Sequence, residues 1–187
     1  MERTDKDLVR LTKRGDQAAF RELVERYQRK IFSVALGMVG NSDDAMDITQ
    51  ETFISAYRSV KNFRGDSSFY TWICRIAINL GIDMKRRNAR SFNADEQEIE
   101  ALEQSSGANN PESGNPRDAY FQAERREAIT KAIEQLPPAQ RSTIILREVD
   151  GLSYEEIAST LKISKGTVMS RLHYARKRLQ GQLEPYL

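Results

Sequence analysis

A chain of 187 residues, 30% charged and 39% hydrophobic, has room for one medium domain or two small ones with real cores. It holds no run near the ~20 apolar residues needed to span a bilayer, and Met1-Glu2-Arg3-Thr4-Asp5 does not open a signal peptide, so a cytoplasmic protein is expected. A single cysteine, Cys74, and a single histidine, His173, exclude an internal disulfide and a thiolate or imidazole metal cluster, and no cofactor or metal is expected.

The first predicted helix follows Asp16 as N-cap and carries Phe20, Leu23, Tyr27, Ile31, Val34 and Leu36 inward as far as Gly40. Asn41 or Ser42 caps the next, with Ala45, Ile48, Thr52, Phe53, Ala56 and Tyr57 facing the core and Asp43, Asp47, Gln50, Glu51 and Arg58 facing solvent. The short loop Asn62 to Ser68 leads into a helix from Phe69 to about Arg87, buried through Trp72, Ile73, Ile76, Ala77 and Leu80.

Breakers then accumulate in Ser105-Ser106-Gly107-Ala108-Asn109-Asn110-Pro111 and Gly114-Asn115-Pro116, with few apolar residues between them. This reads as a linker over residues 91–118. The linker holds seven acids and one base, so the formal net charge of +2 hides +8 on the remainder, the segregation expected of nucleic-acid-binding modules. Beyond it a helix runs from about Tyr120 to Gln135, breaks at Leu136-Pro137-Pro138 and resumes from Ala139 to Val149, where Asp150-Gly151 ends it.

Ser153-Tyr154-Glu155-Glu156 is a capping box for a helix whose core face is Ile157, Ala158 and Leu161. Lys162-Ile163-Ser164 makes a tight connection to a last helix with Val168, Leu172, Ala175 and Leu179 inside. That is a helix-turn-helix pattern. No alternating strand pattern occurs, so both halves are expected to be all-α.

Three constellations carry chemistry. The last helix offers Lys165, Thr167, Ser170, Arg171, His173, Tyr174, Arg176, Lys177 and Arg178 on its free faces, with no acid before Glu184. Such a helix fits a major groove and its phosphates. The Asn62 to Ser68 loop alternates amides, aromatics and cations with Phe69, Tyr70, Trp72 and Arg75, the mixture that stacks and hydrogen-bonds unpaired bases; Phe69 and Trp72 equally fit a core. Asp43, Asp44, Asp47 and Glu51 share one side of a helix with Gln50, Phe53 and Ile54, a mixed surface closer to a protein-binding patch than to a metal site.

The segments Asp47-Ile48-Thr49-Gln50-Glu51-Thr52-Phe53-Ile54-Ser55-Ala56-Tyr57-Arg58, Phe63-Arg64-Gly65-Asp66-Ser67-Ser68-Phe69-Tyr70-Thr71-Trp72 and Ile76-Ala77-Ile78-Asn79 resemble signatures of extracytoplasmic-function sigma factors of the sigma-70 family, near the sigma-E branch. Asp150-Gly151-Leu152-Ser153-Tyr154-Glu155-Glu156-Ile157-Ala158 and Gly166-Thr167-Val168-Met169-Ser170-Arg171 extend the resemblance into the second half. It implies sigma region 2 at 1–90, an acidic linker at 91–118 that threads the polymerase near the RNA exit path, and sigma region 4 at 119–187.

The resemblance further implies a non-enzymatic initiation factor of the stress-response kind. Asp47, Gln50, Glu51, Phe53, Ile54 and Tyr57 would meet the beta-prime clamp helices of core RNA polymerase, and region 4 its beta flap. Asn62, Phe63, Arg64, Gly65, Asp66, Ser67, Tyr70, Trp72, Arg75, Asn79, Asp83, Arg86 and Arg87 would melt and hold the minus-10 element of promoter DNA. Lys165, Thr167, Ser170, Arg171, His173, Tyr174, Arg176 and Lys177 would read the minus-35 element, with Met169 and Tyr174 standing where relatives often carry arginine. An anti-sigma factor, membrane-anchored in many relatives, is a further expected partner that would hold the chain at the inner membrane; in holoenzyme it would sit on the nucleoid. No small-molecule substrate is expected.

Two other readings fit the residues alone. A dimeric helix-turn-helix repressor would bind duplex DNA unaided, and a nuclease or recombinase would use the acidic helix for metal-dependent strand cleavage.

Overall fold

The computed structural model describes residues 3–95 and 116–186, and all regular structure among them is helical. The expected linker, 91–118, therefore lies largely outside the described residues.

Local capping fixes most boundaries. α1 (Asp5–Lys13) starts where Thr4 accepts from the Asp7 amide, and it buries Leu8, Val9 and Thr12. This helix precedes the first one expected from the sequence, because nine residues carry too short a stripe to show a period. α2 (Gln17–Val39) is capped by Asp16, which accepts from the Ala19 amide at 3.0 Å. It stops at Gly40, whose φ of 89° is the left-handed conformation glycine adopts freely. Asn41 caps α3 (Ser42–Ser59) by accepting from the Asp44 amide at 2.9 Å, and a single 3-10 turn, Val60–Asn62, closes it.

Ser68 accepts from the Thr71 amide at 3.0 Å and so opens α4 (Phe69–Asp95), which continues past the expected end at Arg87. α5 (Pro116–Glu134) begins before the expected Tyr120. Pro138 starts α6 (Pro138–Ile144), and the chain then widens into one π-helical turn, Ile145–Val149, instead of continuing as a uniform α-helix. α7 (Tyr154–Leu161) carries the full capping box: the Glu156 amide donates to the Ser153 hydroxyl at 3.2 Å and the Ser153 amide to the Glu156 carboxylate at 2.8 Å. Lys162, with φ of 54°, makes the tight turn, and Ser164 caps α8 (Lys165–Leu183) through the Thr167 amide at 3.1 Å.

α2 is the axis of the first half. Its Leu23, Ile31, Val34 and Met38 are fully buried against α1, α3 and α4, which contribute Leu8, Ile48, Ile73 and Ile78. In the second half Val168, Leu172 and Ala175 of α8 close on Ile157 of α7 and Leu146 of the π turn.

The two halves share one continuous core, because the α5 to α6 corner and the π turn rest on the C-terminal end of α2. A Cβ at Gly37 would stand 3.0 Å from the Ile145 side chain, so the missing side chain permits this approach. Arg141 ties the same corner: Nε donates to Ile133 O at 2.9 Å, and its two terminal nitrogens to Met38 O at 2.9 Å and Leu136 O at 3.1 Å. Burial lowers the pKa of this guanidinium from its ordinary value, and three carbonyl dipoles stand in for the water it has lost. Nearby, the Tyr70 hydroxyl donates to Asp150, whose second oxygen is buried without a hydrogen-bond partner.

Candidate nucleic-acid interface

The residues expected to carry function fall into three separate places. The first is a groove between α2 and α3. Phe20, Val24 and Phe32 of α2 form one wall, and Met46, Gln50, Phe53, Ile54 and Tyr57 of α3 the other, enclosing about 990 Å³. Phe53 is buried and meets Phe20 edge-on with ring centres 6.4 Å apart, so it builds the floor. Tyr57 is expected from the sequence both on the inward stripe of α3 and among the polymerase-facing residues. It is 37% exposed, with its ring 4.9 Å from that of Phe20, because it lies at the rim where α2 no longer covers α3.

Met46 and Ile54 are 58% and 38% exposed, and Asp47, Gln50 and Glu51 are exposed on the same helix. This surface is apolar in the middle and polar at its edge, the anatomy of a protein-binding patch. Sequence reasoning missed Met46 and the whole α2 wall. The signal was present as a second apolar face, Phe20, Val24 and Phe32, beside the Leu23 and Ile31 stripe.

The second place is the loop before α4. Phe63, Phe69 and Trp72 cluster with ring centres 5.0 to 6.1 Å apart, and Tyr27 stacks on Tyr70 at 5.2 Å. Lys13 braces the loop by donating to the Phe63 carbonyl. Of the thirteen residues expected at minus-10 DNA, Asn62, Arg64, Gly65, Asp66, Asn79, Asp83, Arg86 and Arg87 are exposed, and Ser67, Trp72 and Arg75 are half-buried. Phe63 and Tyr70 are buried, since the first supports the loop from beneath and the second faces Asp150. Gly65, at φ of 84°, gives the loop the left-handed turn that lifts Arg64 and Asp66 off this aromatic base. Burial pushes the Tyr70 hydroxyl far above its ordinary value and the Cys74 thiol up to about 12, so neither ionises near neutrality.

The third place is α8. Val168, Leu172 and Ala175 anchor it, which leaves Lys165, Met169, Ser170, His173, Tyr174, Arg176 and Lys177 exposed and Thr167 and Arg171 half-buried. Two of its cations are turned back onto the protein. Lys165 pairs with Glu155 and holds that carboxyl below its usual range, and Arg176 reaches Glu148 at 2.7 Å. Both pairs are solvent-exposed and hold the side chains loosely, so a phosphate can compete for either cation.

The segments that carry these surfaces match two family models. The family model described as Sigma-70 region 2 matches residues 23–91, and that described as Sigma-70, region 4 matches residues 126–179. The chain is 42% identical over 185 residues to the ECF RNA polymerase sigma-E factor of Salmonella typhimurium, covering 98% of this chain and 96% of that one. It is 40% identical to the RNA polymerase sigma-H factor of Pseudomonas aeruginosa, covering 98% and 95%. In fold it resembles CnrH in its complex with the cytosolic domain of CnrY, with a TM-score of 0.71 at 24% identity over 97% of each chain. With α3 and most of its groove inside the region 2 match, α7 and most of α8 inside the region 4 match, and 42% identity to a sigma-E factor along nearly the whole chain, the chain belongs to the extracytoplasmic-function RNA polymerase sigma factors.

Proposed function

We propose that this chain is a non-catalytic initiation subunit that docks on core RNA polymerase through the α2 and α3 groove, opens the minus-10 element with the loop before α4, and reads the minus-35 duplex with α8. The observation that carries this reading is the groove. An apolar trough of about 990 Å³ whose polar lining includes Gln50, Arg21, Arg29 and Arg58, with Asp47 and Glu51 exposed on the same α3, is suited to the exposed faces of partner helices, and none of its lining belongs to the loop before α4 or to α8. Among the described residues no group of His, Cys, Asp or Glu is arranged to hold a metal, so the acidic turn of α3 gives the nuclease reading no support.

On the clamp helices of the beta-prime subunit Asp47 and Glu51 would attract basic side chains, and the exposed Ile54 and Tyr57 would supply the desolvated contact. Region 4 would meet the beta flap. The same trough is a suitable seat for an anti-sigma factor, which would inhibit by covering it; the solved relative CnrH is itself bound to the cytosolic domain of CnrY. Among the described residues no helix is long and apolar enough to cross a membrane. Attachment at the inner membrane would therefore come from such a partner, and the working compartment is the cytoplasm and its nucleoid.

The test is core binding by variants that keep the fold. Ile54→Asp, and separately Asp47→Lys with Glu51→Lys, change exposed side chains, so circular dichroism should be unaltered. Each should weaken association with core polymerase about 10-fold or more, the effect of losing a central contact or reversing charge. Unchanged affinity in both would remove the groove from the interface.

A further inference from the structure

The first two turns of α8 present four exposed positions: Lys165, Gly166, Met169 and Ser170. Met169 is 53% exposed. It faces a shallow concavity of about 530 Å³ whose other lining includes Tyr154, His173 and Arg176. The two cations on this flank do not shield it, since Lys165 is drawn to Glu155 and Arg176 to Glu148. Gly166, one turn before Met169, has no side chain, and a Cβ there would meet only the Ser164 hydroxyl at 3.8 Å. The thioether is thus the group offered at this place on the helix.

A major groove presents hydrogen-bond donors and acceptors at every base pair but only one apolar group, the C5 methyl of thymine. A methionine cannot satisfy the polar edges of guanine, adenine or cytosine, and opposite them it would leave a desolvated donor or acceptor unpaired. Its long, unbranched and polarisable side chain can cover a methyl group from several angles. We propose that Met169 is a specificity-determining residue that selects thymine in the minus-35 element by packing on its C5 methyl. This rests on the reading of α8 as the helix that enters the major groove.

The experiment uses holoenzyme assembled from core polymerase and the full chain. Promoter duplexes are first selected from a random library, and each thymine of the upstream element is then replaced singly by uracil, which removes the methyl and nothing else. The expected result is one position at which uracil weakens binding about three- to fivefold, the scale of one buried methyl group. At that position 5-methylcytosine should bind better than cytosine.

In Met169→Ala holoenzyme the uracil penalty should vanish, and in Met169→Leu it should persist, because leucine keeps the apolar contact. The side chain is exposed, so both variants should fold as the native protein does. An upstream element without thymine, a neutral uracil scan, or an unchanged penalty in Met169→Ala would each overturn the proposal. Holoenzyme that selects no upstream sequence at all would instead overturn the assignment of α8 to the minus-35 element.

Discussion

Replacing Arg141 with methionine should lower the stability of the folded protein by about 3 kcal/mol, the scale of leaving buried acceptors unpaired, with a fall in Tm of roughly 6–12 °C for a chain of this size. The methionine fills most of the guanidinium's volume but leaves the carbonyls of Leu136 and Met38 without the donors that now reach them at 3.1 and 2.9 Å, while Ile133 O loses its 2.9 Å bond and keeps only the Leu136 amide. Two of these carbonyls belong to the α5 to α6 corner and the third to α2, so one substitution loosens both the corner and its seat on the first half. Lys177→Met, at an exposed site on α8, is the control and should change stability by no more than about 0.5 kcal/mol. Denaturant unfolding of both variants checks this. A shift for Arg141→Met as small as the control's would mean that the three bonds contribute nothing net.

The second large effect concerns strand opening. Arg64, Asp66 and Ser67 stand at the tip of the loop before α4, and within the protein Ser67 makes only a 3.4 Å bond to the neighbouring Ser68 carbonyl. Changing all three to alanine should therefore preserve folding, polymerase assembly and minus-35 binding. If the loop captures an extruded base, the lost contacts should reduce opening about 10- to 100-fold, since stacking and hydrogen bonding contribute about 1–3 kcal/mol per base. Reactivity of unpaired promoter thymines towards permanganate reports this. Phe63 must be left in place: its ring packs 5.0 Å from Trp72 beneath the loop, so Phe63→Ala would reduce opening by damaging the core. Normal opening by the triple variant would exclude the loop from the mechanism.

What could be read from the sequence was mostly local. Asp16, Asn41, Ser153 and Ser164 all cap the helices assigned to them, because a side chain reaching an amide three residues on depends on little beyond that turn. The helix-turn-helix was legible for the same reason, with α8 burying Val168, Leu172 and Ala175 at the expected spacing.

Other features depended on contacts distant in sequence. The run Thr143-Ile144-Ile145-Leu146 is buried on every side, so its periodicity is flat and the π turn left no trace. Arg141 would ordinarily be assigned to solvent, and only the approach of Met38, 103 positions earlier, makes it a core residue. Tyr57 sits on the inward spacing of α3 and yet emerges at the groove rim, because where α2 stops covering α3 is a matter of packing. Of the candidate residues, sequence reasoning named Gln50, Phe53, Ile54 and Tyr57 on the α3 wall and missed Met46 and the α2 wall that makes a groove with them.

As a sigma factor this chain confers promoter choice on core RNA polymerase. The most direct test is reconstituted transcription from a library of upstream sequences, with core enzyme alone and core enzyme plus the full chain, followed by sequencing of transcript start sites. The expected result is starts that require the chain, lie downstream of a shared pair of sequence elements, and disappear when Asp47→Lys and Glu51→Lys are combined with Ile54→Asp. Start sites that are the same with and without the chain, at concentrations where it binds core enzyme, would contradict it.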